Sequence, residues 1–338
     1  MKARTLLRLA IPLREPFATA NGVLAERELL VIRLVDDDGT IGFGEAAPLE
    51  PYDGVSLDDV IDALREGPPP RDAPRQARAA WELAELDLQR RRLGRPLGEP
   101  LHDQIPVNLT LGAGPAEEAA AAAMAGLRKG YSCFKVKAGL PDDAERVRAV
   151  REAVGPWPAI RVDANGAWSA DQAVEALTEL EPLDLELVEQ PCATLEEMAE
   201  VRARVSVTVA ADESIAGAED VHHAASLAAC DAVNIKLAAA GGYGPARDAL
   251  RAAREHHLAA WLSSTLDGPW GIAAALQLAS SANLGLACGL ATLELFDARL
   301  ARCLPGPSNG LMGVPQGPGL GVDVSADALA EVVVEEIG

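Results

Sequence analysis

The fold is decided between Tyr131 and Ala238, where five short segments recur: YSCFKVKAG (131–139), RVDANG (161–166), LELVEQPC (185–192), VAADES (209–214) and CDAVNIKLA (230–238). Each is an apolar or β-branched run ending on charge: Lys135 and Lys137, then Asp163, Glu189, Asp212 and Lys236. From Lys137 onward these charges stand 26, 26, 23 and 24 residues apart. A repeat of about 25 residues is the length of one strand plus one helix. Strands of a parallel barrel present their C-terminal residues at one shared mouth. Five successive strands would therefore bring lysine, three carboxylates and lysine together. Side-chain alternation puts Cys133, Lys135 and Lys137 on one side of their strand, and Asp163 and Asn165 on one side of theirs. In a closed eight-strand barrel the second and sixth strands are opposite. Lys137 and Lys236 would face each other, with the acids along the arc between.

Working outward, 338 residues suffice for a barrel of about 250 and a smaller domain of about 100. Residues 1–47 read as a β-meander, TLLRLAIPL, ELLVIRLV and TIGFGEAAP, turning at Asn21-Gly22 and Asp38-Gly39. The loop 17–22 and the segment 48–54 are placed to read a substrate's side chain. Ser56 and Asp58 open a short helix that Pro68-Pro69-Pro70 stops. A longer one covers 74–93, with Trp81, Ala84, Leu88 and Arg92 at helical spacing. The barrel begins with a strand at Val107–Leu111. An alanine-rich helix follows, with Glu117 and Glu118 early and Arg128 and Lys129 late, as the helix dipole favours. Further helices are expected at 141–154, 170–181, 194–204, 217–228, 244–257 and 270–280, with strand seven at 260–264 and strand eight at 284–288. A last helix, 326–336, and the Gly-rich stretch before it fold back on the first unit. The expected division is 1–100, 101–305 and 306–338.

Composition narrows the function classes. The formal net charge of −21 opposes a nucleic-acid partner or an anionic membrane. A small anionic carboxylate substrate stays compatible, because a metal and lysines can make one cleft locally positive. Only five of the 30 basic residues are lysines, Lys2, Lys129, Lys135, Lys137 and Lys236, and three of those fall at the strand ends. Lysine can lose its proton when desolvated; arginine effectively cannot. The five cysteines are scattered without a Cys-x-x-Cys pair and read as reduced thiols of a cytoplasmic protein. Cys192 and Cys288, near the mouth, read as small packing residues. Arg8 and Arg14 break the apolar run that would otherwise suggest a signal peptide. No run approaches the roughly 18 apolar residues of a spanning helix. His222-His223 and His256-His257 read as helix-surface residues. Gly39-x-x-Gly42-x-Gly44 lacks the strand–turn–helix context of a nucleotide fingerprint.

Converging carboxylates repel one another, and a hard divalent cation is the usual remedy. Mg²⁺, with Mn²⁺ as an alternative, suits oxygen-only ligands. A metal between two lysines fits abstraction of a proton next to a carboxylate, because the cation stabilises the enediolate as charge develops. A lysine base needs its pKa lowered, which a metal and a second lysine do electrostatically. The backbone amides at Gly241 could hold a carboxylate where a helix opens, and Ser263 and Ser264 could touch substrate at the end of strand seven. A Schiff-base lyase using Lys137 or Lys236 would leave the three acids unexplained.

K-V-K, D-A-N, V-E-Q-P, A-D-E-S and N-I-K-L, in this order and spacing, resemble the enolase superfamily and, within it, the muconate-lactonizing subgroup. The resemblance implies an α/β protein: a modified (β/α)7β TIM-type barrel with an N-terminal α+β capping domain completed by the C-terminal segment. It implies that Asp163, Glu189 and Asp212 bind Mg²⁺, that Lys137 is the general acid/base, and that Lys236 faces it. Lys135 would tune Lys137, with Asn165 and Glu213 supporting the ligands. Dipeptide epimerases of the subgroup carry an Asp-x-Asp pair at the end of strand eight, and residues 286–292 here contain none. Ser263–Asp267 and Ala287–Thr292 resemble the actinobacterial-type members that dehydrate a cyclohexadiene carboxylate to o-succinylbenzoate for menaquinone. Racemisation of N-acylamino acids or a cycloisomerisation is the alternative.

Overall fold

The computed structural model describes residues 3–19 and 22–338. The chain opens with β1 (Ala3–Thr19), β2 (Gly22–Val35) and β3 (Ile41–Ala46), followed by α1 (Glu50–Asp53), α2 (Leu57–Leu64) and α3 (Arg75–Arg92). Then come β4 (Gln104–Pro106), β5 (Leu109–Leu111), α4 (Ala116–Arg128), β6 (Cys133–Lys137), α5 (Asp143–Val154), β7 (Ala159–Asp163) and α6 (Ala170–Leu180). The barrel continues through β8 (Leu187–Glu189), α7 (Leu195–Arg202), β9 (Val209–Ala211), α8 (Ala218–Ser226) and β10 (Ala232–Lys236). It ends with α9 (Leu237–Ala240), α10 (Tyr243–Glu255), β11 (Ala259–Ser263) and α11 (Pro269–Ala282). The tail carries β12 (Leu311–Gly313), α12 (Ala326–Ala330) and β13 (Val333–Ile337).

The cap is an antiparallel sheet ordered β13-β1-β2-β3. Both of its faces are apolar, and alternation sends them different ways. Leu6, Leu30, Ile32 and Leu34 pack with Val60, Ile61 and Trp81 of α2 and α3. Leu7, Leu9, Leu29 and Val31 point the other way, into the continuous core that fills the barrel. The cap is thus seated by its own sheet. Gly42 and Gly44 let α3 approach: a Cβ would stand 2.4 Å from the Ala84 carbonyl oxygen at Gly42 and 1.9 Å from that of Ala80 at Gly44. Trp81 and Ala84 are buried on this helix, but Arg92 is exposed and pairs with Asp36 at 2.6 Å instead of joining the core stripe. Ser56 caps α2 in a reciprocal box with Asp59, and the helix ends before the prolines.

Residues 17–19 and 22 belong to paired strands, not to a separate loop. β1 and β2 stay paired through Phe17↔Leu24 to Thr19↔Gly22. The expected turn residue Asn21 lies outside the described residues.

The barrel sheet is parallel and ordered β5 through β11. The eighth position differs from the strand expected at 284–288. Only Cys288 and Gly289 complete it: Asn108 N donates to Cys288 O at 3.0 Å, Gly289 N to Leu262 O at 2.8 Å, and Ser264 N to Gly289 O at 3.1 Å. The expected helix over 326–336 is also corrected. It stops at Ala330, and the β-branched run that follows becomes β13, pairing antiparallel with β1 from Leu6↔Ile337. No helix among the described residues is long and apolar enough to cross a membrane.

Candidate active site

The sheet register sets the site. Lys137 ends β6 opposite Asp163, which ends β7 opposite Glu189, which ends β8. Asp212 follows β9 by one residue, and Lys236 ends β10 beside Ser263. The strand ends therefore lie at one level around the mouth, as the 25-residue repeat requires.

Three lysines and three acids interlock there. Lys137 Nζ donates to Asp163 Oδ2 at 2.7 Å and to Asn165 Oδ1 at 2.8 Å. Lys135 Nζ lies 2.8 Å from Asp163 Oδ2 and 2.9 Å from Glu189 Oε1. Lys236 Nζ contacts Asp212 Oδ1 and donates to the Tyr52 hydroxyl at 2.6 Å. Asn165, held at a φ of 47°, also donates from Nδ2 to Glu213 Oε1 at 2.8 Å, so it links Lys137 to Glu213. Two amides steady the acids from below: Asn234 Nδ2 donates to Glu189 Oε1 at 2.9 Å, and Gln190 Oε1 receives the Asp212 N–H at 2.8 Å.

Asp163 and Glu189 are fully buried and Asp212 is 4% exposed. Burial alone would raise Asp163, but Lys135 and Lys137 overcome it and hold the carboxyl below its usual range. Glu189 goes the other way. Burial pushes it up to about 7; Lys135 pulls it down, and the charges of Asp163 and Asp212 add to the rise. Burial also works against the charge on Lys135 and Lys236, yet the surrounding acids win and both are raised. Both lysines stay cationic at neutral pH.

Among the described residues, no group of three or more His, Cys, Asp or Glu side chains is assembled as a ligand set. Ammonium groups stand between the acids. The donor chemistry nevertheless fits a hard divalent cation: all three side chains offer only oxygen. One observation adds to this. Glu189 Oε2 is buried and has no hydrogen-bond partner, so half of that carboxylate is unanswered.

The mouth opens into a cavity of about 350 Å³. Val23 and Leu24 of β2 and Leu49, Pro51 and Tyr52 at α1 line it from the cap. Ser263 and Ser264 line it, and the Ser264 and Thr292 hydroxyls lie 2.8 Å apart. Gly241 does not belong to it. α9 intervenes after β10, and at Gly241 a Cβ would point towards Arg78 and Arg75. The amides opening α10 do hold a carboxylate, but it is the protein's own: Gly244 N donates to Glu82 Oε1 of α3 at 3.0 Å. Cys192 and Cys288 are buried, their thiols pushed up to about 11 by burial, which suits packing residues. His222 and His256 are exposed and bonded to each other at 2.7 Å, away from the mouth. Tyr52, Asn108 and Asn234 escaped the sequence reading. Asn234 could have been found, two residues before Lys236 on the same face of its strand. Tyr52 and Asn108 carry no local signal.

Comparison with known proteins agrees with this geometry. Residues 117–328 match the family model described as Enolase C-terminal domain-like. The chain is 39% identical over 332 residues to o-succinylbenzoate synthase of Thermobifida fusca (strain YX), covering 96% of this chain and 90% of that protein. The crystal structure of N-succinyl Arg/Lys racemase from Bacillus cereus superposes with a TM-score of 0.91 at 25% identity, over 98% of each chain. That of the dipeptide epimerase from Cytophaga hutchinsonii, complexed with Mg and D-Ala-L-Val, gives 0.90 at 25% identity, over 99% of this chain and 98% of the other. The fold is a (β/α)7β barrel under a cap. The chain belongs to the enolase superfamily.

Proposed function

We propose that this protein is a Mg²⁺-dependent cytoplasmic dehydratase. It converts 2-succinyl-6-hydroxy-cyclohexadiene-1-carboxylate to o-succinylbenzoate in menaquinone synthesis. The observation that carries the reaction type is the placement of Lys137 on β6 and Lys236 on β10, with Asp163, Glu189 and Asp212 on the strands between. Similarity over most of the chain to an o-succinylbenzoate synthase supports the substrate.

On this reading Asp163, Glu189 and Asp212 hold the cation. When bound, it supplies Lewis-acid charge to the substrate carboxylate. Lys137, oriented by Asp163 and Asn165, takes the α-proton as a free amine. The resulting ammonium returns that proton to the departing hydroxyl, which leaves as water. Lys236 stays cationic and faces the negative charge that develops in between. Lys135, bonded to Asp163 and Glu189, adds positive charge behind Lys137.

Racemisation of N-succinylamino acids is the second reading. It is favoured by the two lysines on opposite sides and by the superposition on a racemase of that class. The described lining residues outside the central cluster include no acid to meet a cationic side chain, which argues against arginine or lysine derivatives. A UV assay with the cyclohexadiene substrate, with Mg²⁺ and with EDTA, separates the readings. Metal-dependent conversion, lost in Lys137→Ala, supports the dehydratase. No conversion, with α-deuterium exchange into N-succinylamino acids instead, moves the function to racemase.

A further inference from the structure

Four of the chain's five histidines belong to one seam on the outside of the barrel: His222 and His223 on α8, His256 and His257 directly after α10. The two helices pack against each other. Val221 and Ala224 of α8 and Ala246, Leu250 and Ala253 of α10 are buried, so the core fixes the backbone on both sides of the seam. The chain is also held where α10 ends. His256 N donates to Ala252 O at 3.1 Å and Leu258 N to Ala253 O at 2.9 Å, with His257 at a φ of 58° between them.

Across this seam His222 Nδ1 and His256 Nε2 lie 2.7 Å apart. The rings cross at 79° with centroids 5.0 Å apart, so two nitrogens meet and not two ring faces. Both side chains are exposed, which leaves the pair open to an ion from solution. The arginines beside them are engaged elsewhere: Arg254 donates to Ala282 O at 2.8 Å, and Arg251 lies 3.5 Å from Asp248 and 3.8 Å from Glu255.

In two neutral rings one of the facing nitrogens is the N–H donor and the other the acceptor. Moving that single proton to the far nitrogen of its own ring leaves two lone pairs converging, with no change in charge. Nitrogens bound at right angles to one ion, at bonds of about 2.0–2.1 Å, stand about 2.9 Å apart, and tetrahedral ones about 3.3 Å. The observed separation is near the first and well short of the second. Imidazole nitrogens in a right-angled arrangement suit Ni²⁺ and Cu²⁺, whereas Mg²⁺ takes oxygen.

We propose that His222 and His256 form a second metal site, a two-histidine clip for a divalent transition-metal ion of the Ni²⁺ or Cu²⁺ class, with water completing the coordination. It differs in donor chemistry from the acids at the strand ends, and it staples α8, which follows β9, to α10, which follows β10. The site is independent of the function proposed above.

Ni²⁺ is the probe, titrated calorimetrically into the untagged full-length protein at saturating Mg²⁺. The wild type is expected to bind one Ni²⁺ at this site and to melt at a higher temperature with Ni²⁺ than without it. Partners behind a ligand already change metal affinity by about 10-fold or more, so His222→Ala and His256→Ala should each weaken binding by at least about tenfold. His223→Ala, about 100° around α8 from His222, should change it by less than about twofold. Equal Ni²⁺ affinity in the wild type and both variants overturns the proposal, as does loss in only one of the two or no binding to the wild type. Melting temperatures without Ni²⁺ verify that the variants fold. Should one not fold, the imidazole resonances of the wild type decide: Ni²⁺ should broaden those of His222 and His256 together, and broadening of neither overturns the site.

Discussion

Tyr52, on the short cap helix α1, accepts a hydrogen bond from Lys236 Nζ at 2.6 Å and turns its hydroxyl to Asp212 Oδ2 at 3.3 Å. A cap residue thus touches two strand ends of the barrel, and its ring lies 4.9 Å from the same ammonium. The helix is itself anchored, because Asp53 Oδ2 receives both Gln76 Nε2 at 2.8 Å and Leu49 N at 3.1 Å. Burial, reinforced by Asp212, raises the phenol, so it stays neutral. Tyr52→Phe keeps the ring and removes only the hydroxyl. Turnover should fall by about tenfold, the scale of one charge-assisted hydrogen bond, with melting temperature nearly unchanged. Unchanged kcat and KM in this variant would show that the contact does not matter to Lys236.

Lys137 and Lys236 should separate by kind of loss. Lys137 carries the proton in both half-steps, so Lys137→Ala should lower kcat by about 10³-fold or more. Lys236 contributes charge, and Lys236→Ala should cost about 10²-fold. Lys236→Arg, which keeps the charge, should recover part of that loss; Lys137→Arg should recover none. Comparable rescue at both positions would contradict the assignment of a single acid/base.

Metal should act on stability as well as on rate. A cation that binds only the folded chain stabilises it by mass action, by about 2.7 kcal/mol at a hundredfold excess over Kd. Saturating Mg²⁺ should therefore raise the melting temperature of the EDTA-treated protein by several degrees. Glu189→Gln, which removes a buried charge next to the unanswered Oε2, should erase most of that shift. Calorimetry scans at fixed protein concentration read it directly; a shift that survives in Glu189→Gln would exclude Glu189 as a ligand.

The charged arc was readable because each strand ends on its chemistry and the strand-plus-helix repeat sets the spacing. Lys137, Asp163 and Glu189 needed only local periodicity to be placed side by side. What stayed hidden depends on chain separation. Gly244 shows an open helix start in sequence, but the carboxylate that fills it, Glu82, belongs to α3. Val333–Ile337 follows a helical turn, and only β1 at the other end of the chain makes it a strand. Leu284–Cys288 has the composition of a barrel strand, yet only Cys288 and Gly289 make the closing hydrogen bonds. Tyr52 reaches the site only because the sheet carrying its segment is seated on the barrel core.

That seating should depend on pH through Glu45. At the end of β3, Glu45 accepts the N–H of Gly268 at 2.6 Å and of Gly271 at 3.3 Å, so a cap carboxylate sits at the N-terminus of α11. Asp267 crowds the same spot: a Cβ on Gly271 would lie 3.0 Å from Glu45 Oε1 and 3.1 Å from Asp267 Oδ2. Buried Arg27 binds the neighbouring carbonyls of Ala47 at 2.7 Å and Thr265 at 3.0 Å, and so ties the same seam together. Burial, then the charge of Asp267, pushes Glu45 from its ordinary 4.5 up to about 8. The folded protein therefore keeps a proton that the unfolded chain has released. Its contribution is complete below pH 4.5 and declines as pH rises to about 8, levelling off above. Denaturation midpoints of the wild type should fall across that window. Glu45→Gln preserves shape and an acceptor for Gly268 but cannot titrate, so its curve should be flatter, and the difference between the two curves isolates Glu45. Parallel curves would mean that Glu45 is ionised in the folded state and that the cap is held by Arg27 and apolar packing without a titrating partner.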